Sequence, residues 1–291
     1  MTSTASPSIS ASASSVSTVP RSNQGDDVPI IRFTNVQDLF DAINSNTGDC
    51  LVVTHVSPTR FAKIEREREK RRRRFRFRRY DSDREILLIT TATDLHERLH
   101  LEIHQKYIVQ LVRSGREESW VSMGATTHRA RGHRGVYGEG DSTGGPKSRM
   151  AIRPIWPTLV VEAGESYPLA ELRDQMRWWF SASDHQVKII LLAKFEHTRR
   201  AITLEKWEEE PHSTRPGAMT TRGSSALQPV LRQTISMTEN TTTDPVSYNV
   251  TGALVLGFSL LFLRSAGPGE GDFILSVQEL EKYAENCWRV S

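Results

Sequence analysis

Two acids and a lysine near the middle of this 291-residue chain have the types and spacing to work on a phosphodiester together. Glu162 ends the apolar run Leu159-Val160-Val161, Asp141 lies 21 residues earlier in a Gly- and Arg-rich stretch, and Lys188 begins the next apolar run. Carboxylates that converge from neighbouring strands can hold one or two Mg²⁺ ions. Such a metal lowers the pKa of a bound water and neutralises charge on the scissile phosphate. A lysine beside it positions the water and stabilises the charge that grows on phosphorus. A carboxylate ending a buried strand is costly unless it is paired or metal-bound. The plainer reading leaves Glu162 solvated at a strand exit, and the residues alone keep both readings open.

A second cluster reads His96-Glu97-Arg98-Leu99-His100. Two histidines one helical turn apart can bind zinc while the glutamate between them activates water. His104, Glu117 or Glu118 would then supply the third ligand. Arg98 and Glu102 are charged where zinc peptidases carry uncharged or apolar residues, and Ile103 takes the glycine position of the extended motif. A polar helix face explains these histidines without a metal, so zinc on His96 and His100 stands as the distant alternative.

The acids and lysine depend on residues 156–195, which read as strand, turn, helix and strand. Residues 34–46 predict a short helix with Thr34 and Gln37 as a capping box. Residues 50–55 predict a strand, after which Pro58 breaks the pattern. Residues 65–74 carry Glu67→Arg71 and Glu69→Arg73 at helical i,i+4 spacing. RFRFRRY (74–80) alternates with period two and predicts a strand. A strand at 85–91 leads to the clearest helix, 94–114, where Leu95, Leu99, Ile103, Tyr107 and Leu111 make the stripe and Gly115 the stop. Residues 120–126 predict a strand and 128–149 a loop holding Asp141. A strand at 201–207 precedes a long flexible insertion at about 208–245. Residues 250–263 predict a buried strand, and Ser276 with Glu279 caps a closing helix.

Net charge is +3, yet residues 60–79 alone carry +9, which leaves −6 for the rest. That asymmetry points to an acidic partner at one place or to an import signal. Arg71, Arg72, Arg73 and Arg74 are the candidate nucleic-acid contacts, beside the plainer reading of a solvated face. Two cysteines, Cys50 and Cys287, make neither a disulfide framework nor a thiolate zinc site. The first 25 residues are rich in Ser, Thr and Ala without an apolar core segment, so they read as a disordered tail rather than a secretory signal. Residues 250–263 are too short to span a bilayer. An intracellular, possible nuclear location without membrane contact is expected. The expected division is a tail at 1–27, a helix/strand region at 28–79 ending in the basic run, and a domain at 80–291.

Residues 80–291 resemble a fungal restriction-endonuclease-like family related in fold to the PD-(D/E)XK nuclease superfamily. The resemblance is carried by LITTATDLHERLH (88–100), MGATT (123–127), EGD (139–141), WPTLVVEAGES (156–166), RWWFSAS (177–183), VKIILLAKF (187–195), EKW (205–207) and the series from VTGALVLGF to DFILSVQELEKYA (250–284). It implies an α/β fold with a mixed sheet flanked by helices. It implies Asp141 and Glu162 as paired metal acids, Mg²⁺ as the cofactor and nucleic acid as the partner. Two positions depart from the pattern: Gly140 replaces the proline before the first acid, and Gly164 replaces the lysine two residues after the second. Some relatives move that lysine, and Lys188 is the candidate here, with Lys194 behind it. The expected function is therefore a metal-dependent nuclease or a degenerate descendant of one. A non-catalytic module that binds nucleic acid or protein is the alternative.

Overall fold

A computed structural model describes residues 28–73, 75–130, 135–151, 153–211 and 227–291. The expected tail at 1–27, Arg74, and residues 212–226 of the expected insertion lie outside the described residues.

The first half builds a six-stranded sheet in the order β1-β2-β4-β3-β7-β6. Its strands are β1 (Ile30–Arg32), β2 (Cys50–Thr54), β3 (Phe75–Asp81), β4 (Ile86–Thr91), β6 (Thr127–Arg129) and β7 (Val136–Glu139). Two helices cover one face, α1 (Val36–Ser45) and α2 (Pro58–Lys70). Alternation in β2 and β3 sends Leu51, Val53, Phe75, Phe77 and Tyr80 into a core with Leu39, Phe40, Phe61 and Ile64. Asn35, not Thr34, caps α1, accepting from the backbone N–H groups of Gln37 and Asp38. Pro58 does not break the chain. It sits in the first turn of α2, where its missing N–H has no intrahelical partner to lose.

The other sheet, made mostly from the second half of the chain, has seven strands in the order β13-β12-β11-β10-β9-β8-β5. These are β5 (Trp120–Ser122), β8 (Ser142–Pro146), β9 (Leu159–Gly164), β10 (Ile189–Glu196), β11 (Ala201–Pro211), β12 (Leu227–Asn240) and β13 (Ser247–Val250). Strands β9 and β10 are parallel, joined by α4 (Leu169–Ala182), as the apolar runs of 156–195 predict. Helices α3 (Asp94–Arg113) and α6 (Val277–Trp288) pack on one face through Leu99, Ile103, Leu280 and Tyr283 against Val161, Ala163 and Leu191. Helix α4 packs on the other through Leu172, Met176, Trp179 and Phe180 against Val160, Ile190 and Leu192. That second core also takes Cys50 and Leu88 from the first sheet, so α4 is enclosed between the two sheets. The architecture is mixed α/β, with mixed sheets flanked by helices. No described helix is long and apolar enough to cross a membrane.

Three expected loops or runs differ. The loop at 128–149 carries β7 and β8, short Gly-rich strands without apolar alternation. Most of the insertion at 208–245 that is described is strand, because β12 pairs with β11 from Pro211↔Leu227 to Ala201↔Thr238. Only Ile235 and Met237 of β12 enter the core, so the outer part of this ribbon looks polar in sequence. The apolar run 250–263 is not one strand. Gly257 ends β14 (Leu254–Leu256), which pairs with β15 (Phe273–Leu275), and then begins the short helix α5 (Phe258–Phe262). The boundary expected at 79/80 falls inside β3, and strands on both sides of it share the first sheet.

Candidate functional site

Glu162 and Asp141 do meet. Strand β8 runs antiparallel to β9 with Ser142 opposite Val161, so the next pair outward is 141 and 162. Burial on both faces of β9 leaves Glu162 without exposed surface, and its Oε1 accepts from Trp179 Nε1 of α4 at 2.6 Å. Asp141 is also buried, and its Oδ2 accepts from the backbone N–H of Ala163 at 2.9 Å.

Between them stands Arg78 of β3. Strand register slips between Phe77 and Arg79, which makes Arg78 the extra residue of a bulge. Bulges re-aim a side chain, and this one turns a guanidinium away from water into the space between the sheets. Arg78 Nη2 donates to Asp141 Oδ2 at 3.3 Å and to the Ala163 carbonyl at 2.9 Å, and Nε donates to Thr90 at 2.9 Å. Its Nη1 lies 3.4 Å from Glu162 Oε2. Two residues earlier, Arg76 joins Asp141 Oδ1 (3.0 Å) to the carboxylate of Glu97 on α3.

The other side of Asp141 faces His96, whose Nε2 is 3.2 Å from Oδ1. His96 Nδ1 is 2.9 Å from Asp49 Oδ2. Asp49, just before β2, also accepts from the backbone N–H groups of Glu165, Ser166 and Tyr167 at 2.7, 2.9 and 3.1 Å, and from Ser166 Oγ at 2.6 Å. It thereby ties the first sheet to the turn after β9.

This crowding shifts the charges apart. Burial, and then the Asp141 charge, push Glu162 up to about 8. Burial also opposes ionisation of Asp141, but His96 and Arg78 hold it well below the usual carboxylate range. Burial works against charge on His96 too, yet Asp141 and Asp49 hold it up at about 9. At neutral pH the cations Arg76, Arg78 and His96 face the anions Asp49, Asp141 and Glu97, with Glu162 held mainly protonated.

Lys188 is not part of this group. Leu192 of β10 lies opposite Glu162, four residues past Lys188, or roughly 13 Å along the strand. Lys188 Nζ instead donates to the carbonyl of His185 at 2.6 Å. Lys194 is the lysine on the right level: it lies opposite Gly164, and its Nζ donates to the Glu165 carbonyl at 2.6 Å. Gly164 itself has no room for a lysine, because a Cβ there would sit 2.9 Å from the Tyr167 carbonyl and from Leu172. Gly140 is equally confined, with Thr143 at 2.6 Å from a Cβ.

The Arg71, Arg72 and Arg73 side chains are exposed where α2 ends. Arg71 donates to Gln37 at 2.9 Å and to Glu67 at 3.1 Å, and Arg73 donates to Asn44 at 3.3 Å. They border a shallow depression with Asn44, Asn46 and Thr91. Arg74 lies outside the described residues.

Among the described residues, one group could hold a metal ion through three side chains: His96, Glu97 and His100, whose ligand atoms all lie within 4.8 Å of one another. His100 Nδ1 is 2.8 Å from Ser142 Oγ, and burial pulls the imidazole down toward neutrality. His104 lines a pocket with His100 one turn on but is outside the group of three, and Glu118 pairs with Lys147 at 3.6 Å.

No family model matches the chain, and no curated protein matches it either. The residues missed in sequence are Arg76, Arg78 and Asp49. A signal for Arg78 did exist: the aromatic alternation Phe75, Phe77, Tyr80 skips a beat at Arg78-Arg79, as a bulge requires.

Proposed function

We propose that this chain is a catalytically silent descendant of restriction-endonuclease-like nucleases, working as a nucleic-acid binding module. The observation that carries this reading is the Arg78 guanidinium lying between Asp141 and Glu162. An active site of that type needs both carboxylates turned toward Mg²⁺, with a lysine near the attacked phosphate. Here the donor set does not fit Mg²⁺. One acid is held mainly protonated, and the other is paired with two arginines and a histidine. Arg78 has no exposed surface and cannot swing out for a metal without opening the seam between the sheets. Binding through the exposed arginines at the end of α2 is the part of an ancestral role that this arrangement leaves intact.

The test is cleavage and binding with the purified full chain. Supercoiled DNA and single-stranded RNA incubated with Mg²⁺ or Mn²⁺ should stay uncut, while DNA binding should weaken steeply with added salt. Metal-dependent nicking that disappears in both Asp141→Ala and Glu162→Ala would restore the active nuclease and overturn the silent reading. Salt-insensitive or absent binding would leave a protein-binding module as the better description.

A further inference from the structure

We propose that His96, Glu97 and His100 form a binding site for a transition-metal dication such as Zn²⁺, and that Arg76, which pairs with Glu97, is a displaceable cation standing in for it. This site goes beyond the binding role above and does not depend on it. It also differs from the nuclease pair, since its three ligands include neither Asp141 nor Glu162.

Four observations converge. The Nε2 atoms of His96 and His100 are buried and make no well-aligned hydrogen bond, each facing only a carboxylate oxygen, of Asp141 and of Glu97. Both rings are held from behind through Nδ1, by Asp49 and by Ser142. That is how metal-binding imidazoles are oriented, with the remaining nitrogen aimed at the ion. The spacing also matches. The ligand atoms of His96, Glu97 and His100 all lie within 4.8 Å of one another, and His100 Nε2 lies 3.3 Å from a Glu97 oxygen. Ligands about 2.0–2.1 Å from a tetrahedral zinc are separated by roughly 3.3 Å. Finally, Arg76 already bridges the carboxylates of Glu97 and Asp141, so the place holds positive charge. Unlike Arg78, it is partly exposed and borders a pocket of about 650 Å³ that reaches His100, His104 and Asp141. An ion entering there would meet Arg76 first, the guanidinium could turn out along the pocket, and His96 would release its Nε2 proton to solvent as the metal bound. Two imidazoles with one carboxylate favour Zn²⁺, Co²⁺ or Ni²⁺ over Mg²⁺.

The experiment titrates the metal-stripped full chain with ZnCl₂, CoCl₂ and MgCl₂ by calorimetry and reads the visible absorption of the Co²⁺ form. One Zn²⁺ per chain is expected, with intense four-coordinate Co²⁺ bands and no Mg²⁺ heat. Arg76→Gln should bind Zn²⁺ more tightly, and Ser142→Ala about tenfold more weakly. His100→Gln and Glu97→Gln should each lose the Co²⁺ bands. Glu97 is partly exposed, so its variant serves if His100→Gln unfolds, and circular dichroism checks both. Zinc binding unchanged in folded Glu97→Gln, or no zinc binding by either the wild type or Arg76→Gln, would overturn the proposal.

Discussion

A guanidinium with no exposed surface is tolerated only when its donors find acceptors. Arg78 meets that condition with Thr90, Asp141 and Ala163, while its Nη1 and Glu162 Oε2 face each other at 3.4 Å without a hydrogen bond. Replacing it with methionine strips Asp141 of a buried counter-charge. Arg78→Met should cost about 3–5 kcal/mol, read from urea unfolding midpoints. Glu162 makes the opposite kind of prediction. Its folded pKa is raised from 4.5 to about 8, so the folded state holds a proton that the unfolded state has released. Stability from this group is complete below pH 4.5 and is lost as pH rises toward 8. Its share of the slope approaches about 1.4 kcal/mol per pH unit between those limits. Glu162→Gln keeps an acceptor for Trp179 and has no proton to lose. The stability of this variant relative to the wild type should therefore rise from pH 5 to pH 8 in paired denaturation series, and a flat difference would refute the buried, protonated carboxyl.

Among the elements, the turn from β9 into α4 is the most constrained. Gly164 lies against the Tyr167 carbonyl and Leu172, so even one methyl has nowhere to go. Gly164→Ala should destabilise by about 1–3 kcal/mol in thermal or urea melts. Introducing lysine there should likewise fail to create nuclease activity in a plasmid-nicking assay. How much of this was legible in the sequence follows from the range of the interactions. Strand β9, helix α4 and strand β10 announce themselves through local apolar runs, as do α3 and the Ser276–Glu279 cap of α6. Glu162 and Asp141 were findable because strands in consecutive order pair. Their neutralisation was not, because Arg78 and Ala163 are 85 residues apart and Asp49 and Ser166 are 117 apart. Lys188 failed as a candidate because an apolar run shows where a strand begins but not which residue faces which across the sheet. Strand β12 was missed because most of it has no core to face, so its polarity resembled a loop.

Over the whole molecule, charge is divided between an inward cluster and an outward basic end. Neutralising Arg71, Arg72 and Arg73 to glutamine should flatten the salt dependence of DNA binding by up to about 2.7 in log–log slope, if all three touch phosphates. Because these side chains are exposed, the melting temperature should hardly move. Millimolar Mg²⁺ should leave that temperature unchanged as well, since a ligand stabilises only by binding the folded state. The Asp49 clamp carries a further consequence, for the order of events in folding. Each sheet has an apolar core of its own on one face. Asp49, however, can be desolvated only after the turn at 165–167 has formed, and Arg78 only after β8 and β9 have paired. Docking of the two sheets is then expected after the main folding barrier has been crossed. Refolding mutants of the seam should change the unfolding rate more than the folding rate, with fractional φ-values near zero at Asp49 and Arg78.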